Sequence, residues 1–196
     1  MNKILSLRRD RTTESQPNNR VATLGNQVAV RAPNVDDGFA VHKLVAMCPP
    51  LDLNSRYFYL VQCTDFADTC IVAERDGEVV GWISGYRRPG HPNVLFVWQI
   101  AVHPDARGHS LGTRLLRALL SRPNCENVET IQTSVAEDNI ASLSVFKSFA
   151  ESLRARLVQH NWLDCERHFH GNHDSEQLLT IGPIDTSQVS GSTNIA

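Results

Sequence analysis

The chain has 196 residues, 41% hydrophobic and 20% charged, with 19 Lys and Arg against 21 Asp and Glu. That length fits one domain, and the composition suits a packed core rather than a disordered chain. A formal net charge of −2 makes no general case for nucleic acid as a partner, and no apolar run approaches the roughly 18 residues that a membrane helix needs.

Residues 1–26 read as a tail, polar and without sustained periodicity, in which Lys3, Arg8, Arg9, Arg11 and Arg20 outnumber Asp10 and Glu14. A solvated disordered segment is expected there. Its first residues are too short an apolar stretch for a secretory signal. The domain runs over 27–184, and the small, polar residues 185–196 are expected to be a second disordered tail.

Residues 28–31 read as a short strand. Asn34 caps a helix from 35 to about 48, which Pro49-Pro50 stops. Asn54 or Ser55 caps a second helix carrying Tyr57, Leu60 and Val61. Residues 70–74 and 79–86 form a hairpin about Asp76-Gly77. Residues 94–102, mostly β-branched or aromatic, read as a largely buried strand. Leu111, Leu115, Leu116, Leu119 and Leu120 then follow helical spacing. A strand at 128–135 leads to a helix at 139–153, with Leu143, Phe146, Phe149 and Ala150 on one face. Two strands, 156–163 and 177–184, flank a His-rich insert at 164–176. This alternation implies an α/β (α+β) fold, one mixed central sheet with helices on both faces. Five cysteines (Cys48, Cys63, Cys70, Cys125 and Cys165) form no Cys-x-x-Cys pair, and are read as reduced thiols of a cytoplasmic protein.

The segment His103-Pro-Asp-Ala-Arg107-Gly108-His109-Ser110-Leu111-Gly112-Thr113 joins the buried strand to its helix. Small residues there let backbone N–H groups face an anion at a helix N-terminus, and Arg107 adds a forked cation. An ordinary strand-to-helix turn that needs glycine for its shape is the alternative. In context, Gln-Ile-Ala-Val-His-Pro-x-x-Arg-Gly-x-x-Leu-Gly followed by an amphipathic helix resembles motif A of the Gcn5-related N-acetyltransferases. The resemblance implies that Arg107, Gly108, His109, Ser110, Leu111, Gly112 and Thr113 hold the pyrophosphate of acetyl-CoA. Ile100 and Val102 would then pair through their backbones with the pantetheine arm. Asn139 and Ser142 match a later family pattern near that arm, although Asn139 alone also reads as a plain helix cap. Two departures stand out. Ser110 replaces a motif glycine, which a negative φ would tolerate. Phe146 replaces a tyrosine that many members use to protonate the leaving thiolate.

Residues 51–57, 63–70, 84–87 and 96–102 are, more narrowly, similar to the diaminobutyrate acetyltransferases of ectoine biosynthesis, over about 28–184. The resemblance implies direct acetyl transfer to the 4-amino group of L-2,4-diaminobutyrate, giving N4-acetyl-L-2,4-diaminobutyrate, by a cytoplasmic homodimer that needs no metal. It aligns His173 with a substrate-site histidine suited to deprotonating the ammonium, and Glu176 with an acidic residue three positions on. Were the insert helical there, His173 and Glu176 would share a side of a turn. Asp52 would pair with a substrate ammonium, Tyr57 would donate from its hydroxyl, and Trp98 would line the substrate site. On alternation, Trp98 shares a strand face with Phe96 and Ile100. Arg87 is a candidate for the substrate carboxylate. Alternatives stay open: His168 or His170 in place of His173, another small amine such as a polyamine, a CoA-sensing module, or zinc held by Cys165, His168, His170 and His173.

Overall fold

The computed structural model describes residues 27–185, so the two expected tails lie outside the described residues, all but Asp185. The strands are β1 (Ala29–Arg31), β2 (Cys70–Arg75), β3 (Glu78–Arg88), β4 (His91–Val102), β5 (Thr130–Ala136), β6 (Leu157–Leu163) and β7 (Glu176–Ile181). They form one sheet in the order β1-β2-β3-β4-β5-β7-β6, in which, among the described residues, only β4 and β5 pair in parallel. The mixed sheet expected from the alternation is present.

Two core clusters cover its two faces. On one, α3 (Leu111–Leu120) and α4 (Ile140–Ser152) bury Leu115, Leu116, Leu119, Phe146 and Phe149 against Ile83, Leu95 and Val97. On the other, α1 (Gly38–Ala46) and α2 (Arg56–Thr64) bury Val41, Leu44, Tyr59 and Cys63 against Val72, Trp82 and Ala101. Asn34 caps a single 3-10 turn that leads into α1, and Ser55 caps α2 by accepting from the Phe58 N–H.

The functional part of the fold comes from an incomplete ladder. β4 pairs with β5 only from Val94↔Thr130 to Phe96↔Gln132. Beyond that point β5 stays with β7 as far as Ala136↔Glu176, and β4 stays with β3. The two parallel strands therefore part, and a wedge opens between Val97–Val102 and Thr133–Ala136. Backbone groups on the parted edges have no strand neighbour across the gap.

The structure corrects one expectation and settles two details that were left open. First, Trp98 and Ile100 do not share a face. The register passes from Gly85↔Val97 to Ser84↔Gln99, so Trp98 is an extra residue in β4. Such a bulge resets alternation. Ile100 and Val102 join Leu95 and Val97 on the α3/α4 side, while Ala101 packs on the α1/α2 side. Second, α2 carries Tyr57, Leu60 and Val61 as expected, and the residues it buries are Tyr59, Gln62 and Cys63. At about 3.6 residues per turn, Tyr57 falls roughly opposite that buried stripe. The buried stripe carries a polar residue, which a count of apolar residues alone passes over. Third, the insert contains a short helix, α5 (Cys165–Phe169), and Glu176 opens β7, so His173 and Glu176 do not lie on one helical turn.

Candidate active site

Two adjoining clefts occupy the wedge. The first, about 250 Å³, lies between the end of β4, the loop after it and the starts of α3 and α4. The second, about 400 Å³, lies between β4, β5, the loop before α2 and the segment after α5. Both are lined by Pro50, Leu51, Ile100, Asn139, Ser142 and Phe146, so they meet at the mouth of the wedge.

The first cleft has the form of an anion site. Gly108 (φ 83) and Ser110 (φ 54) are both left-handed, and α3 starts directly after them. This turns main-chain N–H groups outward beside the positive end of a helix of ten residues. The Arg107 side chain sits at the rim, its Nε donating to the Val102 carbonyl at 3.2 Å. Ile100, Val102, Arg107, Gly108, Ser110, Leu111, Gly112, Asn139 and Ser142 all line this cleft. His109 and Thr113 do not; His109 is exposed, with its Nδ1 3.0 Å from the Arg107 carbonyl. Asn139 also caps α4, accepting from the Ser142 N–H at 3.1 Å, while it lines this cleft. Ser110 does not meet the condition of a negative φ, since its φ is 54. A β-carbon there costs about 1–2 kcal/mol relative to glycine.

The second cleft is acidic and aromatic. Asp52, Asp138, Asp174 and Glu176 line it, and among its described lining residues there is no Lys or Arg. Tyr86 stacks on Phe96 at 5.2 Å between centroids, and Trp162 lies 5.7 Å from Phe96. Trp98, 49% exposed on its bulge, packs against Phe58 at 5.7 Å and forms another part of the wall. Cations are favoured in such a site by both the carboxylates and the ring faces.

His173 is the histidine brought to this cleft. Its Nδ1 lies 2.8 Å from the Asp174 carbonyl and its Nε2 lies 3.1 Å from Asp52 Oδ2. A carbonyl can only accept, so Nδ1 carries hydrogen. With a carboxylate at Nε2, the doubly protonated ring is the form that satisfies both contacts. The Asp174 carbonyl does most to raise the His173 pKa above its ordinary value; burial, the next largest effect, opposes it, and the Asp52 carboxylate and Glu176 add to the rise. Phe169 of α5 packs on the ring at 4.6 Å.

Other candidates fall elsewhere. Tyr57 is 74% exposed and lines neither cleft. Arg87 donates to the Asn124 carbonyl at 2.7 Å, away from both clefts. His168 is engaged within its own turn, its Nδ1 accepting from the Asp164 N–H at 2.7 Å. Among the described residues, no three His, Cys, Asp or Glu side chains converge as metal ligands, so the zinc alternative has no geometric support there.

A family model for the GNAT acetyltransferases matches residues 39–150. The chain belongs to this acetyltransferase family. It is 42% identical over 181 residues to an L-2,4-diaminobutyric acid acetyltransferase of Bordetella parapertussis, covering 91% of this chain and 97% of that protein. It is 38% identical over 179 residues to the enzyme of the same name from Halomonas elongata, covering 89% and 93%. Among solved structures, it superposes with a TM-score of 0.78 and 36% identity on the diaminobutyrate acetyltransferase EctA of Paenibacillus lautus, determined with L-2,4-diaminobutyric acid and coenzyme A. That likeness covers 81% of this chain and 96% of the other. Ard1 of Thermoplasma volcanium, 18% identical with a TM-score of 0.65 over 79% of this chain and 97% of its own, shares the fold.

Within this acetyltransferase fold, the residues that sequence reasoning missed are the aromatic wall of Tyr86, Phe96 and Trp162, and the acids Asp138 and Asp174. Trp162 and Phe96 are far apart in sequence, and no local pattern links them. Ser110→Gly is expected to leave the acetyl-CoA KM unchanged or lower it, because glycine adopts this φ without the β-carbon penalty. A rise in that KM, reproduced by Ser110→Ala, would show instead that the hydroxyl contacts the cofactor.

Proposed function

We propose that this chain transfers the acetyl group of acetyl-CoA to the 4-amino group of L-2,4-diaminobutyrate, giving N4-acetyl-L-2,4-diaminobutyrate. The observation that carries the reading is the junction of the two clefts: an anion-binding loop on one side of Ile100 and Phe146, and an acidic, aromatic chamber on the other. Acetyl-CoA supplies the activated acetyl thioester. Arg107, Gly108, Ser110 and Gly112 fit its pyrophosphate, because their loop presents main-chain donors at a helix start. Ile100 and Val102 stand where the parted β4 edge offers its backbone to the pantetheine arm.

In the second cleft, the two ammonium groups of the amino acid are attracted by Asp52, Asp138, Asp174 and Glu176. A carboxylate accepts through both oxygens, so Asp52 has capacity for a substrate ammonium while holding His173. Trp98 and Glu176 line the same chamber, and His173 accepts the proton that the attacking amine must lose. Phe146 has no proton to give, and Tyr57 lies outside the chamber, so solvent protonates the departing thiolate. The same reading makes the protein a cytoplasmic homodimer that serves the synthesis of ectoine, a compatible solute, in osmoprotection. Among the described residues, no helix is long and apolar enough to cross a membrane.

Following CoA release across a panel of diamino acids and polyamines tests the proposal. L-2,4-diaminobutyrate should give the highest kcat/KM, and the product should carry acetyl on the 4-amino nitrogen. A polyamine as the best substrate would replace diaminobutyrate as the acceptor.

A further inference from the structure

Gln99 has no part in the roles above, yet it is a buried amide in the strand that floors both clefts. On unbroken alternation it would follow Leu95 and Val97 into the apolar α3/α4 core. The bulge at Trp98 turns it to the α2 side instead. There Gln99 Nε2 donates to the Asp52 carbonyl at 2.9 Å, and Gln99 Oε1 accepts from Tyr59 Oη at 3.4 Å. Tyr59 Oη in turn accepts from the Asn54 N–H at 3.3 Å. The amide orientation follows from chemistry, since only its nitrogen can serve a carbonyl.

These three bonds close a ring through Asp52 and Asn54. The loop before α2 is thus held at two main-chain points by a strand residue and a helix residue. Asp52 is gripped from both ends, its carbonyl by Gln99 and its carboxylate by His173. The contact between Asp52 and His173 spans 121 positions of sequence, and nothing local enforces it. We infer that Gln99, backed by Tyr59, is a positioning residue of the acceptor site: it fixes the Asp52 main chain so that the Asp52 carboxylate meets His173. The inference rests on the reading of this chamber as the acceptor site.

His173 itself reports whether the grip holds. The groups that face it are Asp52 from the loop, the Asp174 carbonyl, Glu176 from β7 and the uncharged Phe169 ring of α5. Of these, Asp52 alone is held by Gln99. NMR titration of the His173 ring in the substrate-free protein is the test. Gln99→Met keeps length and removes both hydrogen bonds. It should move the His173 midpoint down, toward the ordinary histidine value. Tyr59→Phe keeps its ring in the core and should move it in the same direction by less. Should Gln99→Met fail to fold, Tyr59→Phe carries the same measurement. In an Asp52→Asn background neither change should shift the midpoint further, because the effect passes through the Asp52 carboxylate. In turnover, Gln99→Met should raise the KM for the amine about tenfold, the size of one ordinary hydrogen bond, with the acetyl-CoA KM within about twofold.

An unchanged His173 midpoint in a folded Gln99→Met protein overturns the inference. So does a shift that persists in Asp52→Asn, or equal changes in both KM values, which would mark a general disturbance of β4. If the wild-type protein does not acetylate diaminobutyrate, the proposed function fails separately, since the His173 titration needs no substrate.

Discussion

Replacing His173 with alanine is expected to lower kcat/KM for the amine by about 10²–10⁴, the usual contribution of a positioned general base. The attacking group is an alkylammonium, almost wholly protonated at neutral pH, so a proton acceptor at the chamber wall matters more here than for a neutral nucleophile. His173 sits in the chamber with both ring nitrogens engaged. Its raised pKa fixes the sign of the pH dependence. A base must be deprotonated to act, so the rate climbs as pH rises through the raised value, and the acidic limb lies higher than an unperturbed histidine would place it. His173→Ala should remove that limb along with the rate. Asp52→Asn should keep the limb and move it to lower pH, because the imidazolium loses its carboxylate partner. A variant lacking His173 that retains both rate and limb would transfer the role to Glu176 or to solvent.

The parts of this site that were legible in the sequence are those built from contiguous residues. The segment from His103 to Thr113 is strand end, loop and helix start in one run, so its chemistry could be read in place. The leucines of α3 announce their buried face by spacing, and all five are buried. What escaped has a common cause. The pairing of Asp52 with His173, the stack of Tyr86 on Phe96 and the bond from Gln99 to Asp52 depend on which strands lie side by side. Alternation also failed at Trp98, because one unpaired residue inverts the facing of everything after it. The buried stripe of α2 was hidden for a related reason. Tyr59 and Gln62 look like surface residues until a polar partner is placed beneath them, and the partner of Tyr59 is Gln99, in β4. His173 and Glu176 rest on resemblance, and their three-residue spacing has no helix behind it.

The cofactor cleft can be tested at Gly112, where the effect should be smaller than at His173 and should fall on the other substrate. A β-carbon built at Gly112 lies 3.2 and 3.3 Å from the two methyl carbons of Val145 in α4. Glycine is thus what lets the first turn of α3 approach α4, and those two helix starts form one wall of the anion cleft. Gly112→Val adds two further methyl groups at a contact that is already tight. Such overpacking costs about 1–3 kcal/mol, which is relieved most easily by moving the loop that carries Arg107 and Gly108. If that strain is borne by the bound state, the KM for acetyl-CoA should rise about 10- to 100-fold. The KM for the amine should stay within a few-fold, because none of the chamber's described lining residues belongs to α3 or to the loop before it. Gly112→Ala should do less, since Val145 need yield only tenths of an ångström. Pairing Gly112→Val with Val145→Ala removes the opposing methyls and should recover most of the lost affinity. A Gly112→Val protein with unchanged acetyl-CoA dependence would detach this loop from cofactor binding. A loss that Val145→Ala fails to recover would place the cause in contact with the cofactor itself, not in the spacing of the two helices.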